Sequence, residues 1–115
     1  VLKEKQVMIE MSSTDFSFIG EQHVGRLYQL LEKLHIRPNM TQNGAISFTC
    51  VVNDWPEKID KLASEATAFL DVQIKKDLSL LTIRHFTREK FDELTKNKTI
   101  LLRQQTPETI QVLMS

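Results

Sequence analysis

Val7, Ile9 and Met11 alternate with Met8, Glu10 and Ser12, a period of two that predicts a strand over residues 5–13. The period then lengthens. Val24, Leu27, Tyr28, Leu31 and Leu34 recur at helical spacing and form one apolar stripe, in a helix that ends near His35 because Pro38 cannot continue it. Between the two lies TDFSFIG, a loop with two phenylalanines and an isoleucine. Residues 38–53 predict a hairpin turning on Asn43–Gly44, since Asn-Gly fits the two left-handed positions of a tight hairpin turn. Its entering strand, PNMTQ, is polar and rich in amides, whereas its leaving strand, AISFTCVV, is apolar. A polar strand beside an apolar one suggests that it lines something other than core.

Asp54-Trp55-Pro56-Glu57 predicts a helix start, with Asp54 as cap, proline in the first turn and Glu57 placed as in a capping box. Ile59, Leu62, Ala63, Ala66 and Phe69 supply its buried face, and strands are expected at residues 71–76 and 78–86. Thr87 then reads as an N-cap flanked by Phe86 and Phe91, the two positions of a hydrophobic staple. The short helix is expected to reach about Asn97 with Phe91 and Leu94 inward. TILLRQQ and ETIQVLM, joined through Thr106-Pro107, make a second hairpin.

The two stretches share one order: strand, helix, strand, turn, strand. A repeat at this scale implies two related modules. Residues 1–76 read as a βαββαβ, ferredoxin-like module, and residues 77–115 as a shortened βαββ one. The fold class is therefore α+β, antiparallel sheets with helices on one face. The shortened module lacks a final helix and strand. Its open edge calls for pairing with residues 1–4 or with another chain.

Charge narrows the function. Fifteen Lys and Arg balance fifteen Asp and Glu over 115 residues, so the chain lacks the excess positive charge that phosphate backbones require, which argues against nucleic acid. The 41% apolar content suits a globular protein, and no apolar run is long enough to span a membrane. Val1-Leu2-Lys3-Glu4-Lys5 carries charge where a signal peptide would be apolar. The lone Cys50 cannot form an internal disulfide, which fits a reducing, cytoplasmic setting. The chain opens on valine, as a piece of a longer protein would.

Chemistry is sparse. His23, His35, His85 and Cys50 show none of the spacing of a zinc site, so no metal is expected. Cys50 alternates with Phe48 and Val52 and reads as a small packed hydrophobe. Phosphate-loop, dinucleotide and nucleophile-elbow motifs are all missing, and Asp54, Glu57 and Asp60 look like a helix start rather than a catalytic set. These 115 residues alone are not expected to be an enzyme. One feature points to binding. FSFIG delivers Gly20 to the mouth of the first helix, where free backbone N–H groups favour an anion such as an α-carboxylate. The ferredoxin-like order sets this loop beside Asn39, Thr41, Gln42 and Asn43, with Phe18 and Ile19 placed to cover the site or meet a second subunit. The competing reading is a core-plugging loop beside ordinary edge-strand amides.

The run SSTDFSFIGEQHVGRLYQLLEKLHIRPNMTQNGAISFTCVVND resembles the first ACT module of aspartokinases. LSLLTIRHF with TILLRQQTPETIQVLM resembles the second, in the short form of Bacteroidetes-type enzymes, so the resemblance covers essentially the whole chain. It implies a regulatory fragment of an aspartate kinase. The amino-kinase domain would precede Val1, and ATP and Mg would belong to that domain. It implies a homodimer through the ACT modules, with an end-product amino acid bound between two first modules for feedback inhibition, lysine favoured and threonine possible. By the same carry-over, Ser17, Phe18, Ile19 and Gly20 offer backbone contacts, and Met40 and Thr41 lie in the lining strand. Asn39 falls where an aspartate often holds the effector's amino group. Asn43, Gly44 and Ala45 fall where lysine-sensitive members often carry Thr-Ser-Glu. Neutral Asn39 and Ala45 thus remove two charges, each worth about 1.5–3 kcal/mol as a charge-assisted hydrogen bond. The alternative is an ACT dimerisation scaffold with no effector bound. A ferredoxin-like RNA-binding module is disfavoured by the missing aromatic RNP pattern and zero net charge.

Overall fold

The computed structural model describes residues 1–15 and 19–115. Their elements run β1 (Leu2–Ser12), α1 (Glu21–Lys33), β2 (Met40–Asn43), β3 (Ser47–Asn53), α2 (Pro56–Ala66), β4 (Asp71–Arg84), α3 (Arg88–Leu94), β5 (Ile100–Gln105) and β6 (Thr109–Met114). They form two compact units, Val7–Lys76 and Val1–Gln6 with Asp77–Ser115. Strands β1 and β4 each contribute one half to each unit.

In the unit Val7–Lys76 the strands lie in the order β2-β3-β1-β4, the ferredoxin-like arrangement. Alternation decides which side of each strand meets the helices. Val7, Ile9 and Met11 of β1 and Phe48, Cys50 and Val52 of β3 join Leu27, Leu31, Ile59, Leu62 and Ala66 in one core. Thr49 and Val51 project to the other face and are also buried, as is Met40, the cross-strand partner of Val51.

Helix α1 buries Leu27 and Leu31, with Val24 and Leu34 partly covered. Tyr28 departs from the expected stripe: it sets its ring edge-on to Phe48 at 5.5 Å and stays 45% exposed. The helix ends at Leu34 in a Schellman motif. His35 takes a left-handed φ of 56°, its N–H bonds the Glu32 carbonyl at 3.1 Å, and the Ile36 N–H reaches the Leu31 carbonyl at 2.8 Å. Leu31 and Ile36 both sit in the core, the apolar contact that accompanies this cap.

The hairpin does not turn on Asn43–Gly44. Asn43 pairs with Phe48, the Gly44 N–H bonds the Ser47 carbonyl at 2.8 Å, and the turn falls on Ala45–Ile46. Neither Asn43 nor Gly44 has the positive φ that an Asn-Gly turn requires. A turn centred there would set Met40 opposite Ser47. The observed register sets it opposite Val51 instead, and both side chains are buried. The shift of four keeps every side chain on its face, so burial of an apolar pair outweighs the local turn preference.

Helix α2 begins one residue later than its sequence suggests. Its N-cap is Trp55, not Asp54, and no side chain caps it. Pro56 is the reason: a residue before proline is driven from helical to extended geometry, so no helix extends past Pro56 towards the N-terminus. Asp54 is left with Oδ1 buried and without a hydrogen-bond partner. Ile59, Leu62 and Ala66 are buried as expected, while Ala63 and Phe69 are half-buried.

The unit Val1–Gln6 with Asp77–Ser115 repeats the strand order as β5-β6-β4-β1. The N-terminal residues stand where the missing fourth strand would be. Val1 and Thr82 exchange both backbone hydrogen bonds at 2.8 Å. Strands 71–76 and 78–86 are one strand, β4, with Asp77 at φ 59° inside it; β1 likewise starts earlier than expected and carries Lys5 at φ 53°. Thr87 caps α3, accepting from the Lys90 N–H at 3.2 Å, and Phe86 and Phe91 pack on Leu81, Ile110, Val112 and Met114. The helix stops at Leu94, short of Asn97, and Leu94 is 41% exposed rather than inward. A seven-residue helix presents little more than one position to the sheet, and Phe91 takes it. The β5–β6 hairpin turns at Pro107–Glu108, with the Thr106 N–H on the Thr109 carbonyl at 2.8 Å.

Candidate functional site

Two backbone hydrogen bonds tie the approach to α1 onto the hairpin turn. The Ile19 N–H donates to the Ala45 carbonyl and the Ser13 N–H to the Ile46 carbonyl, both at 2.9 Å. Gly20 follows directly as the N-cap of α1, in extended geometry and with no side chain of its own to cap the helix. Ile19 is half-buried against the core, while Gly20, Gly44 and Ala45 are exposed. The local chemistry is thus that of a helix mouth, whose first-turn N–H groups have no partner within the helix. It is flanked by a turn whose Gly44 is tight: a Cβ there would lie 2.9 Å from Ser47 Oγ.

Of the expected site residues, the structure brings together Ile19, Gly20, Gly44 and Ala45. Ser17 and Phe18 lie outside the described residues. Asn43 is exposed at the end of β2 nearest the turn, and Thr41, half-buried, stands midway. Met40 begins β2 at its other end and Asn39 directly precedes it, about 13 and 16 Å from Gly44 at 3.3 Å per strand residue. Asn39 is engaged there: its Nδ2 donates to Asn53 Oδ1 at 2.9 Å and its N–H to the Val51 carbonyl at 2.7 Å. Met40 is 4% exposed. Strand β2 is the edge of its unit.

The periodicity did not reveal a cavity of about 610 Å³ at the C-terminal end of α1, walled by Tyr28, Glu32, His35, Arg37, Pro38 and Trp55. Nor did it reveal a second, of about 320 Å³, beside α3. Both gather residues from separate elements, so no spacing rule finds them. Cys50 is fully buried, and desolvation pushes its thiol up to about 12, out of reach of nucleophilic chemistry near neutrality. Among the described residues no three His, Cys, Asp or Glu side chains gather as a metal site. No described helix is long and apolar enough to cross a membrane.

No family model and no curated protein sequence matches the chain. Solved structures do. Aspartate kinase from Clostridium acetobutylicum superposes with a TM-score of 0.81 at 16% identity, over 100% of this chain and 30% of that one. A putative C-terminal regulatory domain of aspartate kinase from Porphyromonas gingivalis gives 0.77 at 16% identity, over 98% of this chain and 82% of its own. The chain has the fold of aspartokinase regulatory domains. E. coli aspartokinase III, in complex with lysine and aspartate in its T-state, gives 0.74 at 11% identity over 97% of this chain. The chain spans less than a third of the two longer aspartokinases, 30% and 28%. The α+β architecture, with strands in the order β2-β3-β1-β4 in one unit and β5-β6-β4-β1 in the other, is the fold these structures share with the chain.

Proposed function

We propose that this chain is a regulatory module of an aspartate kinase, which binds an end-product amino acid and transmits its presence to a kinase domain of the same polypeptide. The observation that supports it is the match over essentially the whole chain to a domain of similar size, the Porphyromonas regulatory domain. Lysine is the favoured effector, as the amino acid bound together with aspartate in the E. coli T-state structure; threonine is the second candidate. The effector's α-carboxylate would take N–H groups of the first turn of α1, beside the turn at Ala45; the Ile19 and Gly44 N–H groups are already bonded to the Ala45 and Ser47 carbonyls and would not reach it. Edge strand β2 would pair with its copy in a second chain, so that each site is closed by a partner. ATP and Mg belong to the kinase domain, which also carries the catalysis. Regulation then requires only that the effector prefer one arrangement of the modules over another.

A second reading is a dimerising scaffold with no effector. It is favoured by Asn39, whose amide is already committed to Asn53. The test is thermal melting of the chain with L-lysine, L-threonine or L-methionine, alongside its mass by light scattering. A ligand at about 100 times its dissociation constant adds roughly 2.7 kcal/mol, which is several degrees for a domain of this size. A shift with one amino acid on a dimer supports the sensor. A dimer that none of them shifts supports the scaffold, and a monomer that none shifts refutes both.

A further inference from the structure

The cavity of about 320 Å³ beside α3 is walled by Phe86, Arg88, Phe91, Asp92, Arg103 and Gln105. None of its charged groups is neutralised by an ion pair among the described residues. The Arg103 guanidinium lies over the Phe91 ring, 5.1 Å from the centroid, and its Nη2 donates to Gln105 Oε1 at 2.8 Å. An aromatic face and a neutral amide thus fix its position without neutralising it. Arg88 and Asp92 stand four residues apart on one side of α3, yet among the described residues neither side chain has an ion-pair or hydrogen-bond partner. Phe91 is 8% exposed and forms an apolar floor.

Two guanidinium groups and one carboxylate around such a floor call for the inverse charge pattern in a ligand. We propose that this unit binds an acidic amino acid, its two carboxylates on Arg88 and Arg103 and its ammonium on Asp92. A planar guanidinium takes a carboxylate through paired N–H donors, and the cavity has room for a molecule of that size. Lysine has a single carboxylate and would set its side-chain ammonium against the second arginine, which excludes it. A simple oxyanion meets Asp92 and is disfavoured. The inference does not rest on the effector site of the other unit.

The test is calorimetric titration of the 115-residue chain with L-glutamate, L-aspartate, succinate, L-lysine and inorganic phosphate, with the arginine Nε–H signals followed by NMR. At least one acidic amino acid is expected to saturate in the millimolar range and to move the Arg88 and Arg103 signals. Arg103→Gln is expected to weaken it about tenfold or more. Asp92→Asn is expected to weaken the amino acid and to strengthen succinate, because only the former carries an ammonium. Circular dichroism checks that both variants keep their fold. The proposal is overturned if neither acidic amino acid saturates by about 20 mM. It is overturned equally if Arg103→Gln leaves binding unchanged, or if phosphate or L-lysine moves the two arginine signals as strongly. Lysine bound at the first helix would leave those signals still, so failure here and failure there are distinguishable.

Discussion

Replacing His35 by glycine is expected to stabilise the protein. His35 is the residue after the α1 C-cap, held at φ 56° by the bonds from its own N–H to Glu32 and from the Ile36 N–H to Leu31. A side chain in that conformation brings Cβ against the following carbonyl at a cost of about 1–2 kcal/mol. Glycine removes the clash and gives back about 0.5–1 kcal/mol through the greater freedom of the unfolded chain. The His35 side chain is exposed, so little burial is lost with it, and Lys58 Nζ bonds its carbonyl, which every substitution retains. The net gain is about 0.5–1 kcal/mol, or about 2–5 °C in midpoint for a domain of this size. His35→Val should move the other way, because a branched Cβ tolerates left-handed geometry least. The assay is thermal melting by circular dichroism at 222 nm, with urea titration as a check on cooperativity. If His35→Gly melts at or below the parent while His35→Val matches it, the cap does not hold residue 35 in the left-handed conformation.

Thr87→Ala removes the acceptor for the Lys90 N–H and is expected to cost about 1 kcal/mol, with Thr87→Ser largely neutral; urea midpoints at constant slope measure both. Cys50 should resist a thiol reagent in the folded state at pH 8 and react at the rate of unfolding. Its ionisation also fixes a pH dependence: the unfolded thiol releases its proton near 9.0 and the folded one near 12, so stability is full below pH 9 and falls as pH rises through that window. Phe91→Ala should cost about 3–5 kcal/mol by emptying the floor between α3 and its sheet, seen as a large fall in the urea midpoint. Asn39→Asp, with Asn53 turning its amide to donate, is expected to tighten lysine about tenfold or more if the proposed effector site includes this strand; unchanged calorimetric affinity would remove Asn39 from it.

What the sequence reveals best is what a few adjacent residues decide together. The Phe86-Thr87-Phe91 signature fixes a cap and a staple within six positions, and the structure contains both. The stripe of α1 holds for Leu27 and Leu31, where period and core agree, and fails at Tyr28, whose polar end draws it to solvent. The misses come where a second constraint, near or far in the chain, overrides the preference of one residue. Asn43–Gly44 is a strong turn signal, but the pairing of Met40 with Val51 moves the turn two residues on. Asp54 is a good cap by type, but Pro56 dictates where a helix can start. A break at Asp77 looks like the end of a strand, whereas one left-handed residue lets β4 continue through it.

The candidate site divides along the same line. Gly20 at a helix mouth is a local property, and the structure sets it against Ala45 through the Ile19 hydrogen bond. Asn39 is different. Sequence proximity to Asn43 suggests one shared lining, yet a strand separates its residues by about 3.3 Å each, and Asn39 spends its amide on Asn53 instead. A ligand small enough to sit on the helix mouth therefore cannot also touch Asn39 of the same chain. If Asn39 contributes to binding at all, it does so across a paired β2 edge, from the second chain. The effector site and the dimer then stand or fall together, which is why melting and mass have to be measured on the same sample.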